Sequence, residues 1–308
     1  MLQALWRWYA PPIPLCRLRL LRAGVGAYAL VYLIVRAAHL NAVVAYPASA
    51  FSPVGVVSVL TQPLAAPWVY ALYVGAVLSG AAFTAGVAYR YSAPAFAALL
   101  LWVTSYRHSF GMIFHTDNLL VLHVLLLVFA PAGGGKLRAA AGDADEHRRS
   151  WVPRALCLVT VAAYLVAGAA KLRHTGWSWA AGGALREQIA YDAIRKIELG
   201  STYSPIGPWL LPHEWLFAPL SVFALATELL APLALLGVRA AAIWCACAWL
   251  FHAGVLALMA IAFSYPLSGA AFLAFFPLER AQQALRRRFR RGQGPAAPAT
   301  SAAPPARN

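Results

Sequence analysis

Charge is scarce in this 308-residue chain: 11% of residues are Asp, Glu, Lys or Arg, and only ten are acidic. A soluble domain carries about 25% charge. The deficit excludes a water-soluble globular enzyme and a disordered chain. Cysteine is sparse too. Cys16, Cys157, Cys245 and Cys247 lie in or beside apolar runs. That placement excludes a disulfide scaffold or zinc ribbon and leaves them as small apolar residues. There is no Walker loop, no GxGxxG after a strand, no GxSxG elbow and no HExxH-like metal motif. Two similar halves of a transporter are not visible either.

Apolar residues, by contrast, make up 61% of the chain, and the mean hydropathy is +0.64. This predicts an all-α polytopic transmembrane bundle with the lipid bilayer as its first partner. A helical crossing needs about 20 apolar residues. About eight runs qualify, at 18–39, 64–89, 94–113, 117–131, 151–172, 217–236, 240–263 and 265–278; the fourth and eighth are short. The start of the chain has no small-residue cleavage site, so the first helix is expected to be retained. The net charge is +15. Arg280, Arg286, Arg287, Arg288, Arg290 and Arg291 follow the last apolar run, where arginines set topology and meet anionic lipid rather than nucleic acid. With the N-terminus inside, only Arg36, Arg107, Lys171, Arg173, Arg186, Arg195 and Lys196 face outward, leaving eighteen of the 25 basic residues inside. The positive-inside rule then gives N-in and C-in.

The organisation that follows is a cytoplasmic segment at 1–17, a transmembrane domain at 18–279 and a basic, disordered cytoplasmic tail at 280–308. The outer loop at 173–216 exceeds ordinary connection lengths, which marks it as a lid or binding segment. Its stretch 184–199 reads as an amphipathic helix with Leu185, Ile189, Ile194 and Ile197 partly on one face.

Ionisable groups inside apolar spans are functional candidates, because lipid solvates them poorly. They are Arg36, Arg107, His115, Asp117, His123, Lys171, Glu228 and His252. Lys171 closes the fifth run. A helical side chain leans toward its helix N-terminus, so Lys171 either leans back over the small residues Ala167 and Gly168, leaving room for a flat ligand, or snorkels outward. A desolvated lysine can serve as a base. Glu228 and His252 lie mid-span and require partners, whether functional or structural. His115, Thr116, Asp117 and Asn118 open the fourth run at its outer end, either as a helix cap or as a site. One cavity opening outward would accommodate all these groups.

The run Tyr164-Leu-Val-Ala-Gly168-Ala-Ala-Lys171-Leu172, followed by Trp179-Ala-Ala-Gly182, resembles the HTTM domain. This is the membrane domain of vitamin K-dependent gamma-carboxylase and its bacterial relatives. The similarity continues through Glu228-Leu-Leu-Ala-Pro232, Phe251-His252, the run from Leu256 to Phe263 and Phe276-Pro277-Leu278, and covers about residues 20 to 280. The resemblance implies catalytic roles for Lys171, His115 and Asp117, with Lys171 as the base that deprotonates a reduced, vitamin K-like quinone. Gly168, Glu228 and His252 are the expected cofactor-binding positions. The family carboxylases have a histidine where this chain reads Asp117-Asn118, and they continue into a large extramembrane domain. In size the chain is more similar to the bacterial sporulation-delaying-protein B type, which assists maturation of an exported peptide. The expectations are therefore a membrane maturation factor for an exported peptide, a quinone-dependent carboxylase-like enzyme acting on glutamate side chains, or a small-molecule transporter, in a bacterial inner membrane.

Overall fold

A computed structural model describes residues 3, 6, 9–111, 113–130 and 147–284, with backbone alone at 115–116 and 147–149. Lys136 and Arg138 of the inner loop, and the tail from 285 onward, lie outside the described residues. Among the described residues, the regular structure is helical apart from one short antiparallel pairing of β1 (Pro12–Pro14) with β2 (His147–Arg149). Helices follow in the order α1 (Leu15–Val35), α2 (Ala37–Val44), α3 (Ala66–Ala85), α4 (Tyr89–His108), α5 (His115–Leu127) and α6 (Val152–Thr175). After them come α7 (Gly183–Glu198), α8 (Ile206–Leu210), α9 (Phe217–Leu229), α10 (Val238–Met259) and α11 (Ser264–Leu267).

Among the described residues, four helical stretches are long and apolar enough to cross a membrane: Leu15–Val35, Ala66–Ala85, Val152–Trp179 and Val238–Met259. The other apolar runs are broken for local reasons. α4 spans 20 residues, but Arg90 near its start and Arg107 and His108 at its end dilute it. The sixth run stops as an α-helix at Leu229, because Pro232 cannot donate to the next turn, and continues as a 3-10 turn at Ala231–Leu236. The eighth run is not one helix. Pro266 and Gly269 (φ +77°) divide it into α11 and a 3-10 turn at Ala270–Phe275.

α3 packs between α1 and α4. Close approach is set by small residues: a Cβ on Gly26 would meet the Thr84 hydroxyl, and one on Gly80 would meet the Phe96 ring. Without a hydrophobic drive between helices in lipid, such surfaces are what hold spans together. α6 lies at the centre, against α5, α9 and the turn at Ala231–Leu236. One continuous core joins α1, α4, α5, α6 and α10 through Leu21, Phe96, Leu120, Leu156 and Ala248.

The two ends of the domain meet. Arg17, in the first turn of α1, donates to Glu279 from Nε (2.7 Å) and Nη2 (2.5 Å). The β1–β2 pairing lies at the same end of the chain's first helix. Burial raises the Glu279 carboxyl, but the Arg17 bonds outweigh it and hold the group below its usual range. A depressed carboxylate contributes stability above its unfolded value and loses it as pH falls through the folded value. Glu279→Gln is therefore expected to cost about 1 kcal/mol at neutral pH. It should also remove part of the loss of thermal stability between pH 5 and pH 3, measured in detergent. An unchanged acid limb would sink this assignment.

The segment from 176 to 216 folds onto the C-terminal end of α10. Lys196 donates to the Met259 carbonyl and Ser204 to the Ala257 carbonyl. These are carbonyls left without intrahelical partners at a helix end. Ile189, Leu210 and Phe217 form a small core there. The amphipathic stretch is present as α7, but its four apolar residues do not share one environment. Ile189 is buried and Leu185 packs beside it, while Ile194 and Ile197 are 57% and 53% exposed. The reason is that Asp192 and Ala193 take the inward positions, with Asp192 paired to Lys196 at 2.8 Å.

Candidate functional site

The intramembrane ionisable groups gather in separate clusters rather than one shared cavity. The first is built on Lys171 and Glu228. Gly168 stands one turn before Lys171 on α6. A Cβ there would lie 2.9 Å from the Glu228 Cβ and 3.0 Å from the Leu229 side chain. The glycine therefore lets α9 approach, and the space above it is filled by Glu228 and Leu229 rather than left for a flat ligand. Lys171 leans back along its helix and donates to Glu228 Oε1. It does not snorkel away: its side chain is 22% exposed and that of Glu228 only 4%. The Lys171 Nζ also lies over the rings of Trp179 (5.2 Å) and Phe251 (5.4 Å), where the negative ring faces favour a cation.

His252 adjoins this pair. Its ring is 5.0 Å from the Phe251 ring, which Lys171 Nζ also faces at 5.4 Å. His252 Nε2 and the Tyr164 hydroxyl are 2.7 Å apart. Two buried polar atoms here have no hydrogen-bond partner among the described residues, Glu228 Oε2 and His252 Nδ1. Such atoms cost about 1–3 kcal/mol each when left unmet. The arrangement is an amine–carboxylate pair with two vacant bonding positions and aromatic walls, suited to moving a proton at a hydroxyl or acid.

Asp117 belongs to a second cluster. It sits in the first turn of α5, where the helix dipole favours an anion, while Arg107 and His108 sit in the last turn of α4, where it favours cations. The turn between the helices brings them together. Asp117 accepts from Arg107 Nη2 and from the Tyr32 hydroxyl, and its Oδ2 is 2.9 Å from His108 Nε2. All four side chains are buried. Asp117 thus bonds to this network and to neither Lys171 nor Glu228. The His115 backbone opens α5; its side chain lies outside the described residues.

A third cluster surrounds His123, fully buried on α5, which bonds to the Tyr265 hydroxyl (2.7 Å) and Thr160 Oγ1 (3.0 Å). Sequence reasoning missed the tyrosines: Tyr32, Tyr164 and Tyr265 each complete a polar cluster. Their only signal is that a hydroxyl within an apolar span needs a partner. Among the described residues, no group of three or more His, Cys, Asp or Glu is placed to hold a metal ion.

These features lie within a stretch that matches a known domain family. The HTTM domain matches residues 11–278. The chain belongs to the HTTM family. Lys171, Gly168, Glu228 and His252, as well as the Asp117 network, all fall inside the HTTM match. No curated protein and no solved structure matches the chain. The HTTM assignment and the four long apolar helices together make this an integral membrane protein.

Proposed function

We propose that this HTTM protein works in a bacterial inner membrane, with about eight crossings and both ends in the cytoplasm, and uses Lys171 and Glu228 as an acid–base pair on an amphipathic substrate. The substrate class we favour is a reduced quinone, in carboxylase-like chemistry. The observation that carries the reading is a lysine inside an apolar helix bonded to a buried carboxylate whose second oxygen is unpaired. A charge pair in so dry a place is a functional candidate. Eighteen inward basic residues support the orientation.

The residues fit such a ligand in their donor chemistry. A quinol brings two hydroxyls, and Glu228 Oε2 and His252 Nδ1 are two unmet polar positions. They do not fit it over Gly168, where α9 fills the space. When bound, a reduced quinone supplies an acidic hydroxyl proton and reducing equivalents for oxygen. Lys171 and Glu228 share one proton between amine and carboxylate. With that proton on Glu228, Nζ is a neutral amine able to accept the hydroxyl proton. Trp179 and Phe251 lie against the amine, and the lower local dielectric strengthens its contact with Glu228.

The test is CO2 incorporation into a glutamate-peptide library by purified protein supplied with a reduced naphthoquinone and oxygen. Wild type is expected to incorporate it, and Lys171→Ala and Glu228→Gln to lose about 10²- to 10⁴-fold. No incorporation by folded wild type would overturn the reading.

A second reading, maturation of an exported peptide, is favoured by the exposed apolar face of α7 at Tyr191, Ile194 and Ile197 with nearby Leu199. A photo-crosslinker at Ile194 is expected to capture a co-expressed secreted peptide. Capture of lipid alone would sink this reading.

A further inference from the structure

The acid–base reading leaves the Tyr164 hydroxyl without a task. Tyr164 shares a face of α6 with Gly168 and Lys171, which follow it at helical spacing. Its ring is buried, edge-to-face with Trp244 (5.0 Å) and with His252 (5.7 Å). Trp244 is itself fixed, since its Nε1 donates to the Thr227 carbonyl, next to Glu228, at 2.9 Å. His252 also packs on the Phe251 and Phe263 rings, each 5.0 Å away. This packing sets both ring planes, and the Tyr164 hydroxyl meets His252 Nε2 at 2.7 Å.

The hydrogens at this contact can be placed. A neutral imidazole carries one N–H, on Nδ1 or on Nε2. The phenol has one hydrogen to donate, and Nε2 is its partner among the described residues. With the imidazole hydrogen on Nε2, the phenol would accept it. The phenol's own hydrogen would then lack an acceptor, and the buried Nδ1 lone pair would be unmet as well. With the hydrogen on Nδ1, the phenol donates to Nε2, and Nδ1–H alone is left over. Each buried polar group without a partner is costly, so the second arrangement is favoured. The bond made by one ring nitrogen sets the state of the other.

We propose that Tyr164 is a positioning residue: it fixes His252 as the Nδ1–H tautomer and makes it a hydrogen-bond donor for the Lys171–Glu228 reaction. The donor role rests on the acid–base reading of that pair; the tautomer does not. Tyr164 occupies Nε2, so a substrate contact of His252 runs through Nδ1. The two unmet atoms then differ in kind, since ionised Glu228 Oε2 accepts and His252 Nδ1 donates. Their complement is a ligand with a hydroxyl hydrogen for one and an oxygen lone pair for the other. When a hydroxyl proton passes to Lys171 Nζ, its bonding electrons stay on the oxygen. An N–H donor stabilises the oxyanion so formed, whereas a histidine offering only a lone pair would repel it.

The test is nitrogen NMR of the full chain in detergent with ring-labelled histidine, the His252 signals being identified by difference from His252→Gln. Protonated and bare ring nitrogens have well-separated shifts, so the spectrum reads the tautomer without any turnover. Wild type is expected to show a protonated Nδ1 and a bare Nε2. Tyr164→Phe keeps the ring and removes the hydroxyl. It is expected to shift His252 toward the Nε2–H form, and to lower kcat for CO2 incorporation about tenfold with KM little changed. A wild-type Nε2–H form, an imidazolium, or a Tyr164→Phe spectrum equal to wild type overturns the proposal. The wild-type spectrum decides the tautomer even if the variant does not fold. A raised KM at unchanged kcat overturns the donor role. No incorporation by wild type that shows Nδ1–H sinks the acid–base reading and the donor role with it, while the tautomer stands on the spectrum.

Discussion

Asp117→Ala is expected to destabilise the folded protein by about 3–5 kcal/mol, the range for removing one partner of a buried charge pair. The loss arises from what stays behind. Arg107 is buried with its Nη2 turned to the carboxylate, and Tyr32 and His108 converge on the same group. Without Asp117 a full positive charge remains in a dry site near a second arginine. Total stabilities run to about 5–15 kcal/mol, so the single variant should be near its folding limit. Asp117→Ala combined with Arg107→Met removes both charges and should recover a substantial part, because apolar replacement of a whole pair is often tolerated. Unfolding in detergent read by circular dichroism provides the comparison. A double variant as unstable as the sum of the two single changes would show that the groups are not coupled.

The second large effect concerns two neighbouring glycines. Gly182 adopts φ +92°, a conformation that side chains resist, and a Cβ there would lie 2.4 Å from the Phe217 carbonyl carbon and 2.5 Å from the Ala218 nitrogen. Backbone cannot rotate aside as a side-chain tip can. Gly182→Ala should therefore cost about 2–5 kcal/mol from strain and overpacking together. Gly183 opens α7 with nothing within 4 Å of an added Cβ and no positive φ. Gly183→Ala should be neutral, or stabilising by up to about 1 kcal/mol through the unfolded state. The Gly182 change should also reach the site, because Trp179, just before it, covers Lys171. Loss of activity in Gly182→Ala with an unaltered unfolding temperature would contradict the steric argument.

Much of the architecture was legible because lipid imposes a coarse rule. A span must be apolar and about 20 residues long, and α1, α3, α6 and α10 satisfy it in composition alone. The HTTM resemblance was legible for a related reason. Lys171, Glu228 and His252 are costly in apolar runs, so each stands out against its neighbours. The eighth run was less legible, since its composition is apolar while Pro266 and Gly269 break its backbone. The partly exposed face of α7 was hidden as well: helical periodicity locates an apolar stripe but does not say which part meets protein.

The sequence by itself determined that the chain enters a membrane, which residues are out of place there, and which family carries that pattern. Tertiary structure alone decided the partnerships. Asp117 and Lys171 both read as outer-end polar groups, yet one bonds to Arg107, His108 and Tyr32 and the other to Glu228. The physical reason is distance across the bundle. Glu228 is 57 residues from Lys171 in the chain, and they meet because Gly168 removes one side chain from between two helices.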